Sequence, residues 1–146
     1  MFRHLHHLCI VVHDIDRAVA SYAALGIAPW TDYPPLAEYG ELEVPDRDAF
    51  LAMRYKVANL DNVQFQLCQP PEADCPQRRF LDDHGEGVFH VGFDVADADA
   101  AEAEGRGMGL GVLMRGRRAD RSGFTYYDTA VRAGGVVLLT RQTPSA

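Results

Sequence analysis

The sequence predicts an α+β fold built from two similar halves, and three observations support that prediction. First, the segment from His7 to Ile27 resembles the segment from His90 to Leu110 at a constant offset of 83 residues. Second, each copy opens with an alternating apolar stretch that contains a histidine, which is typical of a half-buried strand. Third, an aspartate and a helical pattern ended by glycine follow each stretch. Because repetition at fixed spacing reflects architecture, both halves are expected to fold alike.

The first copy predicts a strand followed by a helix. Alternation gives residues 5–12 two faces, one of Leu5, His7, Cys9 and Val11 and one of Leu8, Ile10 and Val12. Asp14 is placed to cap the helix, Asp16 is favourable near its N terminus, and Gly26 is placed to end it. The purely apolar face is expected to pack under the helix. The face that carries His7 then remains available to line a cavity.

The middle of the chain predicts further strands and a linker. Segment 29–48 is rich in proline, tyrosine and acidic residues, and it predicts a short strand and a loop. Segments 52–58 and 62–70 predict two paired strands with a turn at residues 60–62. Segment 71–86, which carries prolines, acids and Arg78-Arg79, predicts the connection between the halves.

The second copy repeats the pattern. Residues 88–95 predict a strand, with His90 on the face opposite to Phe89, Val91, Phe93 and Val95. Asp97 opens a helix that Gly105 and Gly107 weaken. The last three predicted strands are 110–115, 123–128 and 135–140. The two halves are then residues 4–70 and 87–142 of one domain, and His7 and His90 occupy equivalent positions in them.

Composition narrows the class of partner. The net charge of −7 argues against nucleic acid and anionic membranes as partners. The N-terminal segment lacks a signal-peptide pattern, and no stretch approaches the 18 or so apolar residues of a membrane span. Three cysteines are too few and too odd in number for a disulfide scaffold, so a reducing cytoplasm is the expected location. A small-molecule substrate or ligand remains as the expected partner.

Three segments of the chain carry a resemblance to a known family: Phe80 to Phe93 (FLDDHGEGVFHVGF), Val63 to Pro70 (VQFQLCQP), and Tyr127-Asp128-Thr129 followed by Gly134 to Val137. They resemble the glyoxalase and methylmalonyl-CoA epimerase branch of the vicinal oxygen chelate superfamily. The resemblance implies two βαβββ modules that form a cup-shaped half-barrel, and a homodimer. It also implies a divalent metal ion (Ni, Co, Mn, Zn or Fe) held between the two modules.

The resemblance also implies a ligand set with one departure. Its histidine, glutamine and second histidine fall on His7, Gln66 and His90, and its terminal-strand glutamate falls on Leu139. Two imidazoles and a carboxamide bring no negative charge, so they are expected to bind a divalent ion weakly. Three acidic residues are candidates to replace the missing carboxylate, and the catalytic base stays unassigned: Glu41, Glu43 and Asp128.

Three functions remain open at this point. The first is a glyoxalase- or epimerase-like lyase or isomerase, in which a metal ion stabilises an enediolate of a small carbonyl or thioester substrate. The second is a metal-free protein that sequesters an antibiotic or another natural product, which the apolar Leu139 favours. The third is a ring-cleaving dioxygenase, which the missing glutamate disfavours.

Other conspicuous residues have structural explanations. His4 and His6 are expected on the strand face opposite to His7, and Cys9 and Cys68 as small core fillers. Arg78 and Arg79 are expected to be a solvated pair. The aromatic residues Trp30, Tyr33 and Tyr39 either border the cavity or belong to ordinary packing.

Overall fold

One nine-stranded mixed sheet runs through the computed structural model, which describes residues 1–146. The strands are β1 (His4–Val11), β2 (Thr31–Asp32), β3 (Glu41–Glu43), β4 (Arg54–Asn59), β5 (Gln64–Gln69), β6 (Gly87–Asp94), β7 (Val112–Arg117), β8 (Gly123–Tyr127) and β9 (Val137–Gln142). The helices are α1 (Ile15–Ala24), α2 (Arg47–Leu51), α3 (Pro76–His84) and α4 (Ala98–Gly107), with a 3₁₀ turn at Leu36–Glu38. No helix has the length and apolar character needed to cross a bilayer.

The strands of the second half follow one another in the sheet in the mirror-image order of the equivalent strands of the first half. The sheet runs β2-β4-β5-β1 and then β6-β9-β8-β7, with β3 at the far edge. The two histidine strands, β1 and β6, pair antiparallel at the centre, and each pairs parallel with the last strand of its own half. The predicted cup of two βαβββ units is confirmed. Strand β3 was not foreseen at this place: it comes from the first half and pairs with β7 of the second.

The helix caps are as predicted. Asp14 accepts a hydrogen bond from the Arg17 backbone N–H at 3.0 Å, and Asp97 accepts one from Ala100 at 2.9 Å. The apolar face of β1 packs under α1, in a cluster of Ile10, Val12, Ile15, Ala18, Val19, Tyr22, Trp30 and Leu67. The other face of β1 therefore looks away from the helix, as the sequence pattern indicates.

A β-bulge lies at the same place in each half and corrects two predictions. The β1–β6 pairing passes from Leu5↔Phe93 to His7↔Gly92, and from Cys9↔His90 to Ile10↔Val88, so His6 and Phe89 are the extra residues. These two positions are related by the same offset as the repeat. A bulge puts consecutive side chains on one side of a strand. The prediction that His6 points away from His7 is therefore wrong. The matching prediction for Phe89 is also wrong, since it packs against Phe80 of α3 at 5.5 Å between ring centroids.

Two helices lie in segments that were predicted to be loops, and two strands begin later than predicted. Segment 29–48 runs into α2, whose cap Asp46 accepts from the Ala49 N–H at 2.9 Å. Segment 71–86 contains α3. A proline occupies its first turn, where the fixed φ of proline favours the start of a helix. Strand β9 begins two residues later than predicted because Gly134 and Gly135 adopt positive φ values of 65° and 86° in the preceding turn. Strand β7 likewise begins two residues later.

Helix α4 is held to the sheet by charge where α1 is held by apolar contact. The Arg117 guanidinium is fully buried and donates to Asp99 and Glu102 of α4, both at 2.8 Å. It also donates to the Phe124 carbonyl at 2.6 Å. Arg115 joins the same carboxylate of Glu102 at 2.8 Å. Because nearly every donor of Arg117 has a protein acceptor, this network fixes α4 against β7 and β8.

Replacement of the buried guanidinium should be strongly destabilising. We expect Arg117→Ala to lower the free energy of unfolding by about 3–5 kcal/mol, because the change leaves buried carboxylate and carbonyl groups without their partner. Arg121→Ala is the matched control, since Arg121 binds the same Asp99 from the solvent side and its loss should cost far less. Urea unfolding of both variants measures the difference, and equal losses would contradict this role of Arg117.

Candidate functional site

A cavity of about 320 Å³ opens between the two halves on the sheet face opposite to α1. Its wall includes all four positions that the sequence singled out, namely His7, Gln66, His90 and Leu139. Four neighbouring strands supply them: β1, β5 and β6 carry the three polar residues, and β9 carries Leu139. Side chains from both halves thus meet at one place.

The two repeat histidines meet at their Nε2 atoms. His7 Nε2 lies 3.1 Å from His90 Nε2, and the two rings are nearly perpendicular, at 87°. On its other side, the Nδ1 of His7 lies 2.7 Å from the Nδ1 of His6. The Nδ1 of His90 is buried and has no hydrogen-bond partner. The three imidazoles therefore form a chain that runs from the partly exposed His6 to the buried His90.

Burial keeps both central imidazoles neutral. It lowers the pKa of His90 to about 3. The pKa of His7 is also well below its usual value, first through burial and then through repulsion by His90, His6 and Arg141. At neutral pH each ring therefore carries one proton and one nitrogen lone pair. A neutral imidazole nitrogen is the form that binds a metal ion.

Glycine opposite His7 makes room for its ring. Gly92 pairs with His7 across the β1–β6 ladder, and an ideal Cβ on it would lie 2.1 Å from His7 Cε1. The repeat places Cys9 opposite His90 in the same way. The two small residues leave space in which both rings can approach each other.

The last strand of each half differs in chemistry. Gln66 lies beside Cys9 in the β1–β5 ladder, and Leu139 lies beside Gly92 in the β6–β9 ladder, so the two positions are equivalent. Gln66 donates from Nε2 to Gln64 Oε1 at 2.7 Å, which leaves its own oxygen for another partner. Leu139 is 2% exposed and belongs to the main apolar core. The second half therefore offers an apolar side chain where the first offers an amide.

Aromatic side chains form the rest of the wall. They are Tyr33, Tyr39, Phe50, Tyr55, Phe124 and Tyr126. The ring of Tyr126 lies 5.0 Å from that of His90. Burial raises the pKa of Tyr126 well above its usual value, so its phenol can donate a hydrogen bond but does not ionise near neutral pH. The cavity can therefore enclose an apolar group and offer hydrogen bonds to an oxygen.

Three charged side chains reach the cavity, and two of them are positive. Arg118 donates to the Tyr39 hydroxyl at 3.1 Å and to Glu38 Oε2 at 3.4 Å, and its guanidinium lies 4.4 Å from the Tyr39 ring centroid. Arg141 lies near His6 and His7 and is paired with Asp94 at 2.6 Å. Glu38 is the one carboxylate among the lining residues. The site accordingly suits a neutral or anionic ligand.

The acids that were candidates to replace the missing glutamate lie elsewhere. Glu41 and Glu43 are exposed and bind Arg115 at 3.2 and 3.1 Å, and Asp128 is exposed beside Gly111. None of the three lines the cavity. Sequence reasoning missed Glu38, Arg118, Arg141, Tyr55 and Tyr126. Their places depend on which strands pair, and a single sequence gives no signal for that.

The remaining residues of interest have ordinary surroundings. Cys9 and Cys68 are fully buried in the core, as predicted. Of the aromatic residues left open, Tyr33 and Tyr39 line the cavity, whereas Trp30 packs near Tyr22 under α1. Arg79 is exposed, as predicted, and is paired with Asp74. The prediction of a solvated side chain is wrong for Arg78, which is only 13% exposed and lies on α3 beside Glu72 and Asp82.

Comparison with known proteins shows the family. The family model of the Glyoxalase/Bleomycin resistance protein/Dioxygenase superfamily matches residues 6–127, so the chain belongs to that superfamily, also called vicinal oxygen chelate. The matched region contains His7, Gln66 and His90 and ends before Leu139. No curated protein sequence matches the chain significantly.

Solved structures of similar fold include several methylmalonyl-CoA epimerases. A variant of the Streptomyces coelicolor enzyme in complex with 2-nitronate-propionyl-CoA is 25% identical, with a TM-score of 0.73 over 100% of this chain and 98% of the other. The Mycobacterium tuberculosis enzyme is 24% identical, with a TM-score of 0.70 over 97% and 89%. An epimerase in complex with methylmalonyl-CoA and NH4+ is 24% identical, with a TM-score of 0.73 over 99% and 97%.

The geometry of the donor atoms fits a weakly held divalent metal ion. Two imidazole ligands of one ion, each at about 2.0–2.1 Å, have nitrogens about 3 Å apart when they bind at near right angles, and His7 and His90 show 3.1 Å. The Gln66 oxygen can serve as a third donor. No three His, Cys, Asp or Glu side chains are grouped to hold an ion. The residues thus fit a weakly held ion with open positions for water or substrate.

The space beside Gly92 gives a first prediction for the site. Gly92→Ala should force the His7 ring out of its place and lower the free energy of unfolding by about 1–3 kcal/mol, as overpacking does. Gly111→Ala is the matched control, because a Cβ there meets its neighbour at an ordinary 3.6 Å. The His7 ring proton shifts in NMR spectra and urea unfolding report both effects. An unmoved His7 signal in Gly92→Ala would contradict the close approach.

The low pKa of His90 predicts how stability depends on pH. An unfolded histidine gains its proton near pH 6.5, whereas folded His90 does so only near pH 3. Between these values the unfolded state binds more protons, so the free energy of unfolding falls as the pH falls. From pH 7 to pH 5, chelator-treated wild type should lose about 2 kcal/mol more than His90→Gln. His4→Gln, at an exposed position of β1, is the control and should follow wild type in urea unfolding. Equal losses in wild type and His90→Gln would show that His90 is accessible to protons.

Proposed function

We propose that the chain is a metal-dependent lyase or isomerase of the glyoxalase or methylmalonyl-CoA epimerase type. In this proposal His7, Gln66 and His90 hold a divalent ion, and the substrate is a small carbonyl compound or thioester. The observation that carries the proposal is the approach of the two neutral Nε2 atoms to 3.1 Å inside the cavity. Apolar packing gives no reason to bring two buried imidazoles together edge to face, whereas a shared ligand does.

The ion would supply Lewis acidity. It would polarise two neighbouring substrate oxygens and stabilise the enediolate that forms when an adjacent proton leaves. Ni, Co, Mn, Zn and Fe are the candidates. The two imidazoles favour the metals that come late in the Irving–Williams order of affinity, such as Ni, over Mn. Because His7, Gln66 and His90 are neutral, an ion that they held would keep its full charge for an anionic substrate oxygen.

The protein's own residues would position the substrate and keep water out. The phenol of Tyr126, beside His90, can donate a hydrogen bond to a substrate oxygen. Phe50 and Phe124, whose rings stack 5.7 Å apart, enclose an apolar portion. Arg118 at the other end can bind a carboxylate or phosphate oxygen. The group that carries the proton stays unassigned, because Glu38, the one carboxylate on the wall, is already paired with Arg118.

The structural neighbours support the thioester alternative. Two of the epimerases hold CoA thioesters or their analogues, 2-nitronate-propionyl-CoA and methylmalonyl-CoA, and their folds cover nearly the whole of this chain. The cavity of this chain is partly open to solvent, so a long carrier group can stay outside while a small acyl group enters. A homodimer, a single-domain protein and a cytoplasmic location remain predictions.

A second function, a metal-free protein that sequesters a small natural product, is favoured by one observation. Leu139, where the resemblance implies a carboxylate ligand, is almost completely buried, and six aromatic residues line the same cavity. An apolar wall suits an organic ligand better than an ion. In that case His7 and His90 would form a direct hydrogen bond and need no third partner.

Metal titration separates the two functions. An excess of Ni²⁺, Co²⁺, Mn²⁺ or Zn²⁺ should raise the Tm of chelator-treated wild type, because an ion that binds the native state alone stabilises it. His90→Ala should abolish the shift. His4→Ala, at the exposed start of the same sheet ladder, should keep it. Absence of a shift with all four ions in wild type would favour the binding protein.

Restoring the carboxylate tests the departure at position 139. Without metal, Leu139→Glu should be less stable than wild type by about 1–3 kcal/mol, since a polar group enters an apolar wall. With metal, the new anionic ligand should raise affinity at least about tenfold, or about 1.4 kcal/mol. Leu138→Glu, one residue away and on the other face of β9, is the matched control and should not gain affinity. Calorimetric affinity equal to wild type in Leu139→Glu would argue against a metal site.

A further inference from the structure

The histidine chain has a direction, and the unpaired nitrogen of His90 sets it. In a chain of three neutral imidazoles linked by two hydrogen bonds, the protons point one way or the other. One order leaves the buried His90 Nδ1 with a hydrogen and no acceptor, and the other leaves it with a lone pair. A buried N–H without an acceptor is rarer in proteins than an under-used acceptor. His90 Nε2–H therefore donates to His7 Nε2, and His7 Nδ1–H donates to His6 Nδ1.

From this order we infer that His6 is a positioning residue for His7. By accepting the Nδ1–H at 2.7 Å, His6 holds His7 in the tautomer whose Nε2 lone pair faces the cavity. This is the nitrogen that a metal ion or a substrate proton would meet. A carboxylate or carbonyl oxygen usually takes this part behind a metal-binding histidine. Here the imidazole of His6 accepts that hydrogen bond, because the bulge turns His6 to the same side as His7.

The second half lacks this device. The equivalent bulge residue is Phe89, whose ring cannot accept the His90 Nδ1–H, and no other group does. His90 consequently keeps its hydrogen on Nε2 until another ligand displaces it. The two ligands of the pseudo-symmetric pair are therefore unequal: His7 is prepared to bind, whereas His90 must move its proton to Nδ1 first. The effect of His6 on metal affinity rests on the proposed function. The tautomer of His7 does not depend on it.

The tautomer can be measured in protein without metal. We predict that long-range ¹H–¹⁵N spectra of chelator-treated, ¹⁵N-histidine-labelled wild type show His7 with its proton on Nδ1 and His90 with its proton on Nε2. His6→Phe copies the other half of the molecule and removes the acceptor, so either order of the protons leaves one buried N–H unpaired. The single His7 tautomer should then give way to a mixture, in which part of the population carries the His7 proton on Nε2 and the His90 proton on Nδ1. His6→Asn should retain the wild-type pattern, because Asn Oδ1 stands as many bonds from the backbone as His Nδ1. His4→Phe, exposed on β1, controls for the added ring.

Cobalt affinity provides the second readout. If the proposed function holds, Co²⁺ should bind His6→Phe about 10–100-fold more weakly than wild type, as loss of an outer partner does, and His6→Asn should bind it nearly as wild type does. A His7 proton on Nε2 in wild type, or one that stays wholly on Nδ1 in His6→Phe, would overturn the role of His6. The predicted tautomers without cobalt binding in any variant would support His6 and overturn the proposed metal function.

Discussion

The antiparallel pairing of β1 with β6 is the constraint on which the cavity depends. The two strands come from the two copies of the repeat, and each carries a bulge one residue before its histidine. The bulges turn the imidazoles toward each other, and Gly92 and Cys9 leave the space that the rings fill. If the register slipped by one residue, His7 and His90 would leave the cavity for the opposite face. The positions of His6, His7 and His90 in the cavity all depend on this one pairing.

The two halves share a backbone plan and have diverged in chemistry. Helix α1 packs through apolar side chains, whereas α4 is fastened through the buried Arg117. In the cavity, Gln66 of the first half faces its counterpart Leu139 of the second. The result is a site that combines polar groups with apolar side chains from both halves. Such a site can orient a substrate that has an oxygen-bearing end and a hydrocarbon end.

Repetition in the sequence predicted the order of elements, the helix caps and the convergence of His7 and His90, because each depends on local pattern or on the constant offset. The bulges were not predictable in this way. Strict alternation puts His6 opposite His7, and only pairing with β6 adds the extra residue. Helix α3 was missed because its prolines and acids resemble a loop, although proline is favoured in the first turn of a helix. The distant wall residues Arg118 and Tyr126 depend on strand order, which one sequence does not reveal.

The central claim is that the neutral imidazoles of the two halves form one ligand-binding site in the cavity. Anomalous diffraction at the cobalt edge, from crystals of chelator-treated protein soaked with Co²⁺, tests it most directly. The account predicts one peak inside the cavity, about 2.0–2.2 Å from both His7 Nε2 and His90 Nε2. A map that shows cobalt only at surface histidines such as His4 or His13, with His7 still hydrogen-bonded to His90, would contradict it.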